Sequence, residues 1–280
     1  MENKLIVNCL TIIFCLFSVA TLAQSRLAIL DFNGDVEVSQ QLRKLAESDE
    51  VALVNEAQLK LAVKGAGYND SLNLKVEDAR ALGLSIGCDY YLIGTAKVQR
   101  RLLSEREFYF DVLIATFVVE TRTGRLIKFL FEQARTEKET AARGRLKELT
   151  KTIWRQSSDA LKSSAISNDI DKVTEVYDLE SAEAVKLQIK PPQFFRRVKP
   201  AYTATADLMG IAATVELKVI FQSNGLVGAV EVIRWAGFGL DDSALATIKQ
   251  LRFEPAKLQT KPVSVSAVVQ YNFRQEEKVK

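Results

Sequence analysis

Histidine is missing from all 280 residues. Its absence excludes His-based nucleophile triads, imidazole general bases and the commonest metal ligand together. Cysteine is nearly missing too. Cys9 and Cys15 lie in an apolar N-terminal run, which leaves Cys88 alone in the rest of the chain. A lone thiol makes neither an internal disulfide nor a thiolate metal cage. Set in Ile86-Gly-Cys-Asp-Tyr90, at the mouth of an apolar strand, it reads as a small buried hydrophobe. Five prolines are too few for a long stiff spacer, and the net charge of +3 is too small to draw nucleic acid. No GxGxxG, P-loop or metal-spaced cluster occurs. The chain therefore reads as non-enzymatic, with no cofactor.

What is present is ordinary for a globular protein: 48% apolar and 26% charged residues. The length exceeds one typical domain, so two are expected. Residues 1–23 have a short polar start carrying Lys4, an apolar run from Leu5 to Leu22, and small residues at Thr21-Leu-Ala23. This pattern is that of a secretory signal peptide cut before Gln24, with an uncleaved membrane anchor as the alternative. Either way the rest of the chain is exported, and the anchor reading leaves this segment as the sole membrane contact.

Residues 26–161 form the expected first domain. Leu27 to Phe32 and Val51 to Val54 are short apolar runs suited to buried strands. Val38 to Ala46 is a helix candidate. Asn55 with Gln58 reads as a capping box for the next helix, ended by Gly65 and Gly67, and Val76 to Leu82 as a third closing at Gly83. The period then changes. Asp89–Val98, Phe108–Glu120 and Arg125–Glu132 read as strands, with Thr121-Arg-Thr-Gly124 as a turn. The middle strand is apolar on both faces and belongs at the centre of a sheet. Glu137 to Leu161 is a long helix. Asp31 ends an apolar strand where catalytic carboxylates often sit; the simpler reading is that it caps the Asn33-Gly34 turn. Glu105, Glu107 and Asp111 read as a solvated strand edge.

Residues 162–195 read as an acidic, partly helical linker, followed by basic Arg196, Arg197 and Lys199. In the second domain, 196–276, Thr214 to Gln222 alternates strictly, Ser223-Asn-Gly225 supplies a hairpin turn, and Ala229 to Trp235 returns. Asp241 is placed to N-cap a helix that presents Ala244, Leu245, Ile248 and Leu251. Val263 to Phe273 is a third strand with its odd-numbered side chains inward. The fold class is thus α+β: an N-terminal mixed α/β sheet domain, then a small domain with a three-stranded antiparallel sheet and two helices.

Pro200-Ala-Tyr202, Gly210-Ile211, Asn224-Gly225, Leu240-Asp241, Ala244 and Leu251-Arg-Phe-Glu-Pro-Ala256 together resemble the C-terminal domain of TonB energy transducers, over about 197–273. Thr203 and Ala213 depart from that pattern, standing where Pro and Gly are usual. The first domain resembles the exported CsgG, TolB N-terminal and LpoB type. The marks are Ala28-Ile-Leu-Asp-Phe32, the passage from Ala81-Leu-Gly to Ile93-Gly94, and Thr121-Arg-Thr-Gly-Arg-Leu126. The TonB resemblance implies a periplasmic module that grips a segment of an outer-membrane receptor or other periplasmic protein by strand addition. Its partner-binding residues are expected among Arg197, Tyr202, Val265, Ala267, Val268, Gln270 and Asn272, along an edge strand that is either free or covered by the first domain. Family transducers also carry an anchor histidine and a long spacer. This chain has neither, which implies a binding adaptor that does not drive transport alone. The alternative is a structural envelope-assembly factor, with homo-oligomers as its partners.

Overall fold

The computed structural model describes residues 25–103, 107–164, 176–196 and 198–275; the expected leader at 1–23 lies outside them. Among the described residues, no helix is long and apolar enough to cross a membrane. The fold is α+β, as the periodicity predicts.

In the first unit, β1 (Leu27–Ile29) is followed by α1 (Val36–Ser48), α2 (Glu56–Gly65) and α3 (Val76–Ile86). A meander of β2 (Tyr90–Leu102), β3 (Phe108–Glu120) and β4 (Leu126–Thr136) comes next, then α4 (Glu139–Ser164). The sheet runs β1-β2-β3-β4, parallel at β1–β2 and antiparallel elsewhere. Doubly apolar β3 lies inside it, as its composition requires. One face, with Val112, Ile114 and Val118, is covered by α1 and α4. The other, with Leu113, Ala115, Phe117 and Val119, belongs to a core that continues into the second unit.

Local rules explain several elements and correct others. Asp35 caps α1 and Asn55 caps α2, each carboxylate or amide oxygen accepting backbone N–H groups of the first turn. Val51–Val54 is no strand: Leu27 exchanges backbone bonds with Ala52 and Val54, a single bridge beside β1. Helix α3 does not stop at Gly83. A side chain there would collide with Thr121, so this glycine permits close helix–strand approach, and the helix ends at Gly87 with φ +74°. Cys88 is buried, its Sγ 3.6 Å from Thr121 Oγ1, and burial pushes its thiol up to about 11. Asp31 caps no turn; it pairs with Arg43 at 2.8 Å. Asp111 is not solvated but buried, with Arg101 at 3.5 Å and Arg135 at 3.6 Å; Glu105 lies outside the described residues.

The second unit begins within the expected linker. Strand β5 (Tyr177–Asp178), α5 (Ala182–Lys186) and β6 (Gln193–Phe194) precede α6 (Ala204–Met209). Strands β7 (Ala213–Phe221) and β8 (Val227–Arg234) form the Asn224-Gly225 hairpin, and α7 (Leu240–Ile248) follows. Short β9 (Phe253–Glu254), β10 (Ala256–Leu258) and β11 (Lys261–Val263) lead to β12 (Val265–Phe273). The sheet order is β5-β12-β7-β8, so a short parallel strand from the linker joins the three expected antiparallel ones.

The two units meet through a dense joint. Trp235, 1% exposed, stacks 5.4 Å from Phe117, and Phe238 lies 4.8 Å from Phe129. Gly237, at φ +71°, has no room for a Cβ against Phe117 and Phe129. Asn73 donates to the carbonyls of Thr214 (2.8 Å) and Trp235 (2.7 Å) and accepts the Thr214 N–H (3.0 Å). One side chain thus satisfies backbone groups in β7 and just beyond β8.

Candidate functional site

Strand β12 is the last long strand of its sheet, and its two sides differ. Toward β7 it pairs without a break from Val265↔Phe221 to Phe273↔Ala213. Toward the outside, β5 covers only its start: Tyr177 donates to the Ser264 carbonyl at 3.1 Å and Leu179 to Ser266 at 3.0 Å. Backbone groups alternate sides along a strand. Because Ser264 and Ser266 point outward, Val268, Gln270 and Asn272 do so too. Among the described residues no strand pairs with β12 beyond Ser266 on that side. Among the described residues no strand of the first unit pairs with this edge, and the linker covers one end of it.

Side chains follow the same period. Val265 and Phe273 are buried, and Ala267, Val269 and Tyr271 pack on the shared core. Val268, Gln270 and Asn272 are exposed. Gln270 Nε2 donates to Asn272 Oδ1 at 2.9 Å, and the Thr214 hydroxyl donates to the same oxygen at 2.8 Å. The result is a polar ladder on the outward face.

Of the residues expected to touch a partner, the structure gathers Val268, Gln270 and Asn272 at the unpaired edge. Ala267 lies beside them with its side chain inward. Val265 has no exposed surface, and β5 occupies the edge beside it. Tyr202 stands apart: its hydroxyl donates to the Ile211 carbonyl at 2.7 Å, which fastens the chain before β7, and burial raises its phenol. Arg197 lies outside the described residues.

Sequence reasoning missed the strap β5. It is held by its two backbone bonds and by Asp178, 3.5 Å from Lys218 across the sheet. The signal was Tyr177-Asp-Leu179, two apolar residues flanking one polar residue inside an otherwise acidic linker; both pack on the core. Asp241 is also placed differently. Gly239 is the N-cap of α7, and the Asp241 carboxylate turns back to accept the N–H groups of Ala236 (2.9 Å) and Gly237 (2.7 Å). Burial pushes its carboxyl up to about 6, against the opposing pull of those two N–H donors.

Residues 198–275 match the family described as the Gram-negative bacterial TonB protein C-terminal, so the resemblance read over about 197–273 stands. No curated protein matches the chain. Similar solved structures include the LpoB C-terminal domain from Salmonella enterica, at 22% identity, covering 41% of this chain and 86% of that one, TM-score 0.29. The Pseudomonas aeruginosa TonB C-terminal domain matches at 20% identity, over 38% of this chain and 99% of its own, TM-score 0.29. A Neisseria meningitidis lipoprotein matches at 14% identity, over 48% and 99%, TM-score 0.36.

Proposed function

We propose that this chain is an exported, non-catalytic adaptor of the cell envelope that binds an extended segment of an outer-membrane receptor or periplasmic protein by strand addition to β12. The reading extends to service in TonB-dependent transport. One observation carries it: in a unit matching the TonB C-terminal family, the outward backbone groups of Val268, Gln270 and Asn272 meet no strand among the described residues. An incoming segment would pair there, its backbone giving affinity and its alternate side chains meeting Val268 and the Gln270–Asn272 ladder. Strap β5 sets where that pairing starts, since Ser264 and Ser266 are already engaged.

The test uses a partner captured by periplasmic crosslinking to the native chain. Gln270→Pro removes an outward N–H without touching the β7 ladder, and should weaken partner binding about tenfold while far-ultraviolet dichroism persists. Gln270→Ala keeps the donor and should bind as the native protein does. Val269→Asp places a charge against the core and should instead unfold the unit. Undiminished affinity in a folded Gln270→Pro variant would falsify pairing at this edge.

A further inference from the structure

The opposite end of the second sheet carries a different kind of surface. Strands β6 and β9 form a two-stranded ribbon in which Phe194 pairs with Phe253. The Phe194 ring is fixed against Phe221 (5.3 Å) and Phe253 (6.0 Å), yet remains 44% exposed. Phe195 follows, anchored by its N–H to the Arg252 carbonyl at 3.1 Å, with 74% of its surface in solvent. The β7–β8 turn abuts the ribbon, since a Cβ on Gly225 would lie 3.7 Å from the Phe253 carbonyl. That turn carries Leu226, 62% exposed. Three large apolar side chains thus leave much of their surface in solvent around this ribbon and turn.

Their charged neighbours are mostly cations. Arg196 and Arg252 flank Phe195 in the chain and across the ribbon, and Lys190 exchanges backbone bonds with Lys257 beside it. The ribbon's acid, Glu254, is already bonded to Lys257. Protruding aromatic and leucine side chains ringed by arginine and lysine suit the boundary between headgroups and acyl chains, where the apolar groups enter and the cations stay with phosphate. We infer that this end of the molecule docks on an anionic phospholipid surface through Phe194, Phe195 and Leu226, with Arg196 and Arg252 as the headgroup contacts. Charge complementarity commits the surface to anionic lipid. The inference does not rest on strand addition. Phe221 and Val265 lie at this end of β7 and β12, while Asn272 lies at the other, so a docked molecule leaves the outward edge of β12 accessible.

Vesicle co-sedimentation tests this with residues 24–280, which contain every described residue. Binding is expected to mixed phosphatidylcholine–phosphatidylglycerol vesicles, to weaken as sodium chloride rises, and to be absent on phosphatidylcholine alone. Phe195→Ser should weaken it about tenfold and Arg252→Gln about fivefold, both with native dichroism. Leu226→Ser provides a second apolar deletion away from the ribbon backbone. Leu103→Ser, at the exposed β2–β3 hairpin, should bind normally. The assignment is overturned by no binding to the anionic vesicles, by equal binding to neutral ones, by native affinity in both the Phe195 and Leu226 variants, or by loss through Leu103→Ser.

Discussion

Asp241 shows how one side chain in this protein serves geometry at the expense of its own ionisation. Its carboxylate ties down the Ala236-Gly237 backbone, and that loop sets Trp235 and Phe238 against the first sheet. Burial raises its pKa from the ordinary 3.8 to about 6. The folded state therefore binds this proton more tightly than the unfolded chain. The associated stability is fully present below about pH 4 and is lost as pH rises through about 6. The difference is roughly 3 kcal/mol across that window. In Asp241→Asn the side chain no longer titrates, and its single carbonyl oxygen can serve only one orientation of acceptor. The variant should melt with a flatter dependence on pH between about 4 and 7 than the native protein. Thermal midpoints measured across that range decide it, and equal slopes would show that Asp241 is not the titrating group.

At the level of elements, strap β5 demonstrates how little chain is needed to occupy a sheet edge. Two donors, from Tyr177 and Leu179, place it on β12. Leu179→Pro deletes one of them and should lower stability by about 1 kcal/mol. The remaining Tyr177 amide should then exchange with solvent at least about tenfold faster, without loss of the β7–β12 ladder. Native-state hydrogen exchange reads this directly; an unchanged Tyr177 amide would mean that the strap is held by other contacts. Elements of this length are poorly legible in a sequence, because two residues have no period. Long, strictly patterned ones are legible: the bounds of Phe108–Glu120 follow from composition alone, and the alternation in β7 and β12 assigns their inward faces. Two misread positions had clear local signals. Gly83 and Asp241 carry strong local signals for a helix end and a cap; close approach of Thr121 accounts for the first, and bonds to the preceding Ala236-Gly237 backbone for the second. The unpaired edge at 268–272 was readable as a strand, whereas its partial cover depended on a linker segment that only the folded arrangement brings alongside.

The whole molecule departs most from the picture of two beads on a string. The core that begins at Ala28 and Leu30 continues through Phe117 and Trp235 to Val265 and Phe273 as one apolar cluster spanning both units. Sequence patterning gives each unit its apolar face but not the identity of the surface that covers it. The first sheet's open face and the end of β8 cover each other. Trp235 is central: its ring stacks on Phe117, its Nε1 donates to the Gly124 carbonyl at 3.3 Å, and its own N–H donates to Leu74 at 3.2 Å. Removing such a side chain costs about 3–5 kcal/mol, part of it from the cavity left behind. The native protein should unfold in a single calorimetric transition, because neither unit can leave without exposing the other's core. Trp235→Ala should lower stability by that amount and split the transition in two, with the second unit melting first, since it keeps the smaller core. Val185→Ala, at a side chain 72% exposed, should leave the single transition in place. Two well-separated transitions in the native protein would sink the idea of a shared core, and the units would then have to be treated as independently folding bodies.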